Sequence, residues 1–199
     1  MENYAELMFT KAVADLQKAE GTHEKYKTAY QHRTQDELDE ATIGFIESRN
    51  SFYIATVNSE GWPYIQHRGG PRGFVKVVGA NTLACADYAG NRQFITMGNL
   101  DQEPKVSLFF MDYLNHVRLK LQGKARLLSA EDADPNLLEL VKTADLETQR
   151  VLTVDVVALD WNCPKYIPTL FSEENVRTLL DRQDEQTRSV DQDNPQGRT

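Results

Sequence analysis

The spacing of apolar and polar positions divides the chain into a helical first part and a middle built from strands. Residues 4–20 place apolar side chains among good helix formers, and Gly21 ends this run, so one helix is predicted there. Residues 34–37 have the spacing of a capping box, which predicts that a second helix begins there and ends near residues 48–51. The segment 1–50 is therefore predicted to be helical.

From residue 52 onward, residue types that favour strands become frequent. The predicted strands are residues 52–57, 63–68, 74–78, 82–86, 106–111, 117–128 and 151–159. Residues 58–61 have the composition of a hairpin turn, and Gly123 is expected to mark a bulge. Helical patterns lie at residues 92–97, at residues 137–141 and from Ser172 onward.

Short strands joined by tight turns favour an antiparallel barrel over units in which helices connect parallel strands. The predicted fold class is therefore mainly β with flanking helices (α+β). The barrel domain is expected over residues 51–170, followed by a C-terminal helix over residues 171–183. Residues 184–199 are polar and lack apolar periodicity, which predicts a disordered tail.

The composition and charge of the chain argue against nucleic-acid-binding and membrane proteins. The 199 residues carry a formal net charge of −8 and the pI is about 5.0, so the chain repels phosphate backbones and no nucleic-acid partner is expected. Hydrophobic residues make up 40% and charged residues 26% of the chain, which is typical of a soluble globular protein. No apolar run is long enough to cross a bilayer and no secretory signal is recognised, so we expect a cytoplasmic protein without a membrane partner.

The cysteines and histidines lack the spacing of a metal site. Cys85 and Cys163 form no ligand-spaced pair and are expected to stay reduced, although a disulfide between them is an open alternative. The four histidines are also dispersed, so no metal is predicted. The sequence contains no nucleophile elbow, no dinucleotide-binding glycine pattern and no catalytic triad, and no catalytic residue is assigned.

A glycine-rich segment at residues 67–73 is the first candidate site. Arg68 offers a planar fork of donors suited to phosphate, and Gly69 and Gly70 let backbone N–H groups approach a ligand. A solvated loop with surface arginines explains the same residues equally well.

The second candidate site lies at residues 89–93, before the predicted short helix. An arginine at a helix N-terminus, here Arg92 between Asn91 and Gln93, joins the free N–H groups in holding an anion. The alternative is that Asn91 caps the helix beside an exposed arginine, and this alternative is slightly favoured when the segment is taken alone. The two candidate segments together favour a phosphate site.

The third candidate site, residues 161–168, follows the last strand and begins with Trp161. It combines an amide, a thiol, a cation and aromatic rings, but a proline-bounded loop with Cys163 as a small buried residue explains it at least as well. Asp155 and Asp160 on the preceding strand are expected to point outward.

Several segments resemble, in order, those of pyridoxamine 5′-phosphate oxidase-like flavin-nucleotide-binding proteins. The matching segments are residues 53–70, 90–93, 98–100, 117–119 with Gly123, and 162–167. They span about residues 45–170, and their order makes the set fairly specific although no single segment is decisive.

The resemblance implies a split β-barrel that forms a homodimer and holds flavin mononucleotide (FMN) at each end of the subunit interface. Arg68 matches the family arginine that binds the flavin phosphate, and Asn91 and Arg92 stand where the true oxidase has an Arg-Lys pair. His116 falls where the oxidase has a flavin-contacting glutamine. These departures, together with the glycines that follow Arg68, favour a sister group of the true oxidase.

The resulting prediction is an FMN-dependent oxidoreductase that acts on an unidentified small molecule. Arg68 and Arg92 are expected to bind the phosphate, and the backbone at Gly69 and Gly70 to approach the ring or ribityl chain. The remaining predicted cofactor contacts are Asn91, Gln93, Asn99, His116 and Trp161. The alternative is a non-catalytic protein that stores or senses flavin, or that binds haem through His67 or His116.

Overall fold

The structure of the chain, a computed structural model, describes residues 3–31, 37–143, 146–161 and 164–193, with side chains as far as residue 183. These residues form two compact units. The first contains the described residues up to Met111 and from Arg118 to Trp161, and the second contains Asp112–Val117 and the described residues from Pro164 onward. The first unit holds the core and most of the sheet, so the fold is built mainly there.

The described residues form a sheet of seven strands. In chain order these are β1 (Ser51–Val57), β2 (Pro63–Gly69), β3 (Val75–Val77), β4 (Thr82–Tyr88), β5 (Lys105–Asp112), β6 (Val117–Ser129) and β7 (Thr148–Trp161). Their order across the sheet is β2-β1-β5-β6-β7-β4-β3, and the pairs β1–β2, β1–β5, β3–β4, β4–β7 and β6–β7 are antiparallel. The sheet ends at β2 and β3 without closing in the described part of the chain. This confirms the predicted antiparallel split barrel with flanking helices.

Alternating burial along the strands places one face of the sheet on the core. In β5, for example, Val106, Leu108 and Phe110 are buried while the residues between them are partly exposed. Phe52 of β1 stacks on Phe110 with 5.1 Å between the ring centroids. Each fully buried side chain of this size contributes about 1.5–3 kcal/mol to folding, so the inner face of the sheet supplies much of the stability.

The bulge predicted at Gly123 is present. The pairing of β6 with β7 shifts its register between Gln122 and Gly123. A Cβ atom at Gly123 would lie 2.8 Å from the carbonyl oxygen of Asp155 and 2.7 Å from Cγ1 of Val154. Only glycine lets the two strands approach this closely, which explains the residue type at the bulge.

Helices lie in both terminal segments and in two of the connections between strands. In chain order they are α1 (Tyr4–Met8), α2 (Lys11–Ala19), α3 (His23–Tyr30), α4 (Glu40–Glu47), α5 (Ile95–Gln102), α6 (Pro135–Val141) and α7 (Glu173–Asp193). None of the helices in the described residues combines the length and the apolar character that a membrane span requires.

Two predicted helix boundaries in the N-terminal segment are wrong. The single helix expected over residues 4–20 is divided into α1 and α2, because Phe9 and Thr10 leave the helical conformation and the Thr10 hydroxyl accepts from the N–H of Val13 to cap α2. The capping box at residues 34–37 lies mostly outside the described residues. Helix α4 begins instead at Glu40, where the side chain of Asp39 accepts from the N–H of Thr42 at 2.8 Å.

The C-terminal helix is longer than predicted. Helix α7 continues past residue 183 to Asp193, whereas the disordered tail was expected from residue 184. Residues 184–193 lack apolar periodicity, but they contain neither Gly nor Pro, the two residue types that disfavour a helix most. Pro195 follows in the sequence and disfavours helix in the residue before it. Residues 194–199 of the predicted tail lie outside the described residues.

Candidate functional site

A cavity of about 220 Å³ lies in the first unit, between β2 at one end of the sheet and the last residues of β4 near the other end. Strand β3 pairs with β4 only from Val77↔Leu83 to Val75↔Cys85, so the end of β4 that carries Asp87 extends beyond its neighbour. Strand β2 is the other end of the sheet. The cavity is lined by residues of β2, the end of β4, the following loop, the start of α5 and the start of β7, including Tyr64, Gln66, Arg68, Asp87, Arg92, Phe94 and Arg150.

A buried carboxylate holds two arginines at this cavity. The terminal Nη1 of Arg68 donates to Oδ1 of Asp87, and Nε of Arg150 donates to Oδ2 of Asp87 at 2.7 Å. Asp87 and Arg150 face each other in the register of β4 and β7, whereas Arg68 reaches Asp87 from β2. The side chains of Arg68, Asp87 and Arg150 are only 15%, 7% and 21% exposed, so water screens their charges weakly.

One donor of this network is unsatisfied within the described residues. The Nε atom of Arg68 is buried and has no hydrogen-bond partner there. A buried donor without a partner costs about 1–3 kcal/mol, and such groups occur at sites that bind ligands or ordered water. Two guanidinium groups that share one carboxylate also leave a net positive charge at the cavity wall. The wall is therefore suited to an anion.

The loop before α5 differs from the prediction. The helix expected over residues 92–97 begins only at Ile95, because Arg92 and Phe94 adopt the left-handed conformation with φ of 58° and 55°. Arg92 is therefore not at a helix N-terminus. Non-glycine residues in this conformation cost about 1–3 kcal/mol each and cluster at functional sites. The Asn91 side chain accepts from the N–H of Gln93 at 3.2 Å, which stabilises the turn that presents Arg92.

The ring of Phe94 extends this arrangement to Arg150. The guanidinium carbon of Arg150 lies 5.8 Å from the centre of the Phe94 ring, within the range of a cation–π contact. Thr96, in the first turn of α5, donates its hydroxyl to Oε1 of Gln66 on β2 at 2.8 Å. These contacts connect the loop and α5 to β2 and β7 and so define the cavity's shape.

The structure brings together most of the predicted cofactor-binding residues. Arg68, Gly69, Asn91, Arg92 and Gln93 line the cavity. Gly70 does not line it, and its residue type follows from packing, since a Cβ atom there would lie 2.6 Å from the ring of Phe74. The cofactor roles of these residues stay predictions.

Three predicted residues are placed elsewhere. Asn99 is buried and donates its side-chain amide to the hydroxyl of Thr56 at 2.8 Å, which fastens α5 to β1. Trp161 packs edge-on against Phe45 with 4.9 Å between ring centroids, and His116 belongs to the second unit, where its Nε2 lies 2.7 Å from the hydroxyl oxygen of Thr169. None of these three lines the cavity. Residues 162 and 163 of the third candidate segment lie outside the described residues.

The other chemically interesting groups are held in structural roles. Asp160, expected to point outward, is 8% exposed, because it accepts from the hydroxyl of Tyr30 at 2.8 Å and pairs with Lys120 at 2.9 Å. Cys85 is a free, buried thiol, and burial raises its pKa to about 12, which the nearby charge of Arg68 offsets only in part. It is therefore not a nucleophile at neutral pH.

Asp87 and Arg150 are the functional candidates that the sequence did not reveal. Asp87 follows a run of strand formers, and Arg150 precedes one, so each is typical of a solvated strand end. Their importance comes from the long-range pairing of β4 with β7, and no local spacing encodes it. The polar ending of the strand at Asp87 is the local signal that could have pointed to this carboxylate.

The open antiparallel barrel with an arginine-lined cavity places the chain in the class of split-barrel proteins. Residues 38–158, more than half of the chain, match the family described as pyridoxamine 5′-phosphate oxidase. The chain therefore belongs to the pyridoxamine 5′-phosphate oxidase family, which confirms the resemblance seen in the sequence. No curated protein sequence matches the chain.

Several solved structures are similar to the chain at low sequence identity. HupZ from Group A Streptococcus is 13% identical, covers 67% of this chain and 99% of its own, and superposes with a TM-score of 0.50. A Clostridium acetobutylicum protein of the pyridoxinephosphate oxidase family, related to general stress protein 26, is 16% identical over 66% of this chain and 91% of its own, with a TM-score of 0.44. An FMN-binding protein from Syntrophomonas wolfei is 12% identical over 73% of this chain and 97% of its own, with a TM-score of 0.42.

Proposed function

We propose that the chain binds FMN at the cavity in the barrel opening and acts as an FMN-dependent oxidoreductase on a small molecule. The observation that carries this proposal is the pair of arginines, Arg68 and Arg150, that share the buried carboxylate of Asp87 on the cavity wall. Membership of the pyridoxamine 5′-phosphate oxidase family supports it.

The charges at the cavity fit a phosphate monoester. Arg92 adds a third guanidinium group to those of Arg68 and Arg150, and Asp87 is the only carboxylate among the described lining residues. Two net positive charges therefore face the cavity, which matches the charge of about −1.5 to −2 on a phosphate monoester at pH 7. The guanidinium groups of Arg68, Arg92 and Arg150 are the N–H donors from which such a ligand would accept.

The flavin ring needs an apolar surface beside the phosphate. A groove of about 720 Å³ adjoins the cavity and shares Phe94, Met97 and Leu127 with it. Leu100 and Pro104 continue the groove. The cationic cavity and the apolar groove together offer FMN both of the environments that its two ends require.

The bound flavin would supply the redox chemistry, and the chain's residues would supply binding and orientation. Both oxygens of Asp87 accept hydrogen bonds from arginines, so its role at the cavity is to hold those two side chains in place. The protein's contribution is therefore electrostatic, and no catalytic acid or base is assigned.

A second copy of the chain is part of the proposal. The outer face of the β1–β2 hairpin (Tyr53, Val57, Trp62, Ile65) is apolar, with Ile65 66% and Trp62 70% exposed. Ile65 lies on the strand whose other face carries Arg68, so a partner seated there would adjoin the cavity.

Sedimentation should give twice the 22.7 kDa chain mass. Ile65→Lys should give the monomer, whereas Leu16→Lys, an equally exposed leucine on α2, should leave the dimer intact.

Absorbance of the purified protein tests the cofactor. The proposal expects a yellow protein with flavin bands, or a colourless protein that becomes yellow when FMN is added. A Soret band would support the haem-binding alternative instead. A protein that takes up neither cofactor would refute both.

A kinetic experiment separates an enzyme from a binder. The bound flavin should be reduced by a nicotinamide cofactor and then reoxidised by one of a panel of small-molecule acceptors. Failure of turnover with every donor and acceptor, in a protein that retains FMN, would favour a flavin-storing or flavin-sensing protein.

A further inference from the structure

A second cavity lies in the first unit, among the three N-terminal helices. Its volume is about 460 Å³, within the range of about 300–1,000 Å³ that is typical of small-molecule sites. Residues in or next to α1, α2 and α3 line it, and all of them precede the segment that matches the family. It shares no lining residue with the cavity between β2 and β4, so the two cavities are separate.

Contacts among the described residues hold the walls of this second cavity in place. The side-chain amide of Asn3 donates to the carbonyl of Tyr30 at 3.2 Å, and the Phe9 ring packs edge-on against Tyr26 and Tyr30, with 5.7 and 5.5 Å between ring centroids. The Tyr30 hydroxyl donates to Asp160 of β7 at 2.8 Å, which fastens α3 to the sheet. A cavity whose walls are already ordered loses little conformational entropy when a ligand binds.

Two opposite charges line this cavity without neutralising each other. Glu6 of α1 and Lys27 of α3 are both lining residues. Among the described residues Glu6 forms no ion pair, and Lys27 forms one only with Glu24 of its own helix, at 4.0 Å, where the side chains are 63% and 78% exposed. A ligand with only one charge would be attracted by one of these two groups and repelled by the other. A ligand that carries both charges would be attracted by both.

The same cavity also offers an apolar surface. Ala5, Phe9 and Ala14 line it together with the ring of Tyr30. Such a surface covers an apolar group of a ligand, while the few charged groups fix the ligand's orientation. The lining therefore matches a small zwitterion that carries a hydrophobic group.

We propose that the cavity among α1, α2 and α3 binds a free α-amino acid with a large apolar side chain. The ligand's carboxylate contacts Lys27, its ammonium group contacts Glu6, and its side chain packs on Phe9 and the two alanines. This site is independent of the proposed flavin cavity, because none of its residues lines that cavity.

Isothermal titration calorimetry of the full chain at pH 7 tests the ligand class with three compounds that share a phenyl ring. L-Phenylalanine carries both charges, 3-phenylpropionate lacks the ammonium group, and 2-phenylethylamine lacks the carboxylate. L-Phenylalanine should bind about three- to tenfold more tightly than either of the others. The expected factor is modest because ion pairs in contact with water are weak.

Two charge-removing variants test the assigned contacts. Lys27→Gln and Glu6→Gln should each weaken the binding of L-phenylalanine by a similar factor. Lys27→Gln should not weaken the binding of 2-phenylethylamine, and Glu6→Gln should not weaken the binding of 3-phenylpropionate, since each of these compounds lacks the group that the replaced side chain would contact.

Matched controls remove the same charges outside the cavity. Lys11 and Glu20 are exposed and do not line it, so Lys11→Gln and Glu20→Gln should bind all three compounds like the wild type. Melting temperatures without ligand establish that every variant is folded. A rise in melting temperature with added L-phenylalanine gives a second measure of binding.

Three outcomes would overturn the proposed amino-acid site. They are a folded wild type that does not bind L-phenylalanine, equal affinities for the three compounds, and an affinity for L-phenylalanine that neither charge variant weakens. FMN uptake is measured separately, so failure of the amino-acid site leaves the proposed function standing, and a protein without flavin leaves the amino-acid site standing.

Discussion

Arg68 on β2 and Asp87 on β4 form an ion pair across the opening of the split barrel. These strands are not neighbours in the sheet, because β2 is one end of it and β4 is separated from the other end only by the three-residue β3. The pair therefore connects the two sides of the opening where backbone pairing does not. The same contact positions the cations that line the cavity, so stability and the proposed binding of FMN depend on the same residues.

Replacing Asp87 with Asn should lower the free energy of unfolding by about 3 kcal/mol. The substitution keeps the shape of the side chain but leaves Arg68 and Arg150 buried without their shared counter-charge, and breaking a buried ion pair typically costs about 3–5 kcal/mol. Urea denaturation at pH 7 measures the change.

The matched control for Asp87 is Asp155→Asn. Asp155 also pairs with an arginine, Arg126 at 2.9 Å, but the two side chains are 42% and 71% exposed. Exposed ion pairs contribute about 1 kcal/mol or less, so this variant should be nearly as stable as the wild type. Similar losses in the two variants would show that the Asp87 network does not hold the opening together.

The cap of α4 predicts a defined contribution to acid stability. Hydrogen bonds from the side chain and then the backbone N–H of Thr42 hold the pKa of Asp39 below its ordinary value of 3.8. Because the folded-state pKa is the lower one, this stabilisation is present above pH 4 and is lost as the pH falls through the folded-state value. Asp39→Ala should therefore be about 1 kcal/mol less stable than the wild type at pH 7, and the difference should shrink below pH 4.

Asp39→Asn separates the cap from its charge. Asparagine also caps helices but does not titrate, so this variant should stay close to the wild type at pH 7 and lack Asp39's contribution to the acid slope. Chemical denaturation at several pH values between 2 and 7 compares the three proteins. A difference between wild type and Asp39→Ala that is constant with pH would contradict the assignment.

The bulge on β6 predicts that Gly123 tolerates no side chain. A Cβ atom in Gly123→Ala would lie 2.7 Å from Val154 and 2.8 Å from the backbone of Asp155, so strands must shift, at a cost of about 2 kcal/mol. Gly79→Ala is the control, because no atom lies within 4 Å of its added Cβ, and its stability should stay within about 0.5 kcal/mol of the wild type. Thermal or urea unfolding checks both, and equal stabilities would remove the bulge as the reason for glycine.

The sequence predicts the barrel better than it predicts the site, for physical reasons. Local residue types indicate the strands, and a glycine within a strand, Gly123, indicates the bulge. The start of α5 depends on left-handed backbone at Arg92 and Phe94, which no residue type there signals. Arg150 becomes a site candidate only because β7 pairs with β4, and Asp160 is buried only because Tyr30 and Lys120 reach it from other elements.

Arg92 and Arg72 provide the last prediction, which compares two exposed arginines on either side of β3 and β4. Arg92→Ala should weaken FMN retention more than Arg72→Ala does. Arg92 lines the cavity from a strained turn held by the side chain of Asn91, whereas Arg72 lies outside the cavity and donates to the carbonyl of Ser48. The reason differs from the one that the sequence suggested, because Arg92 precedes α5 instead of beginning it.

The guanidinium of Arg92 would act through its positive charge and its length, so Arg92→Lys should retain more FMN than Arg92→Ala. Retained flavin after gel filtration measures all three variants, and equal retention in Arg92→Ala and Arg72→Ala would exclude Arg92 from the site.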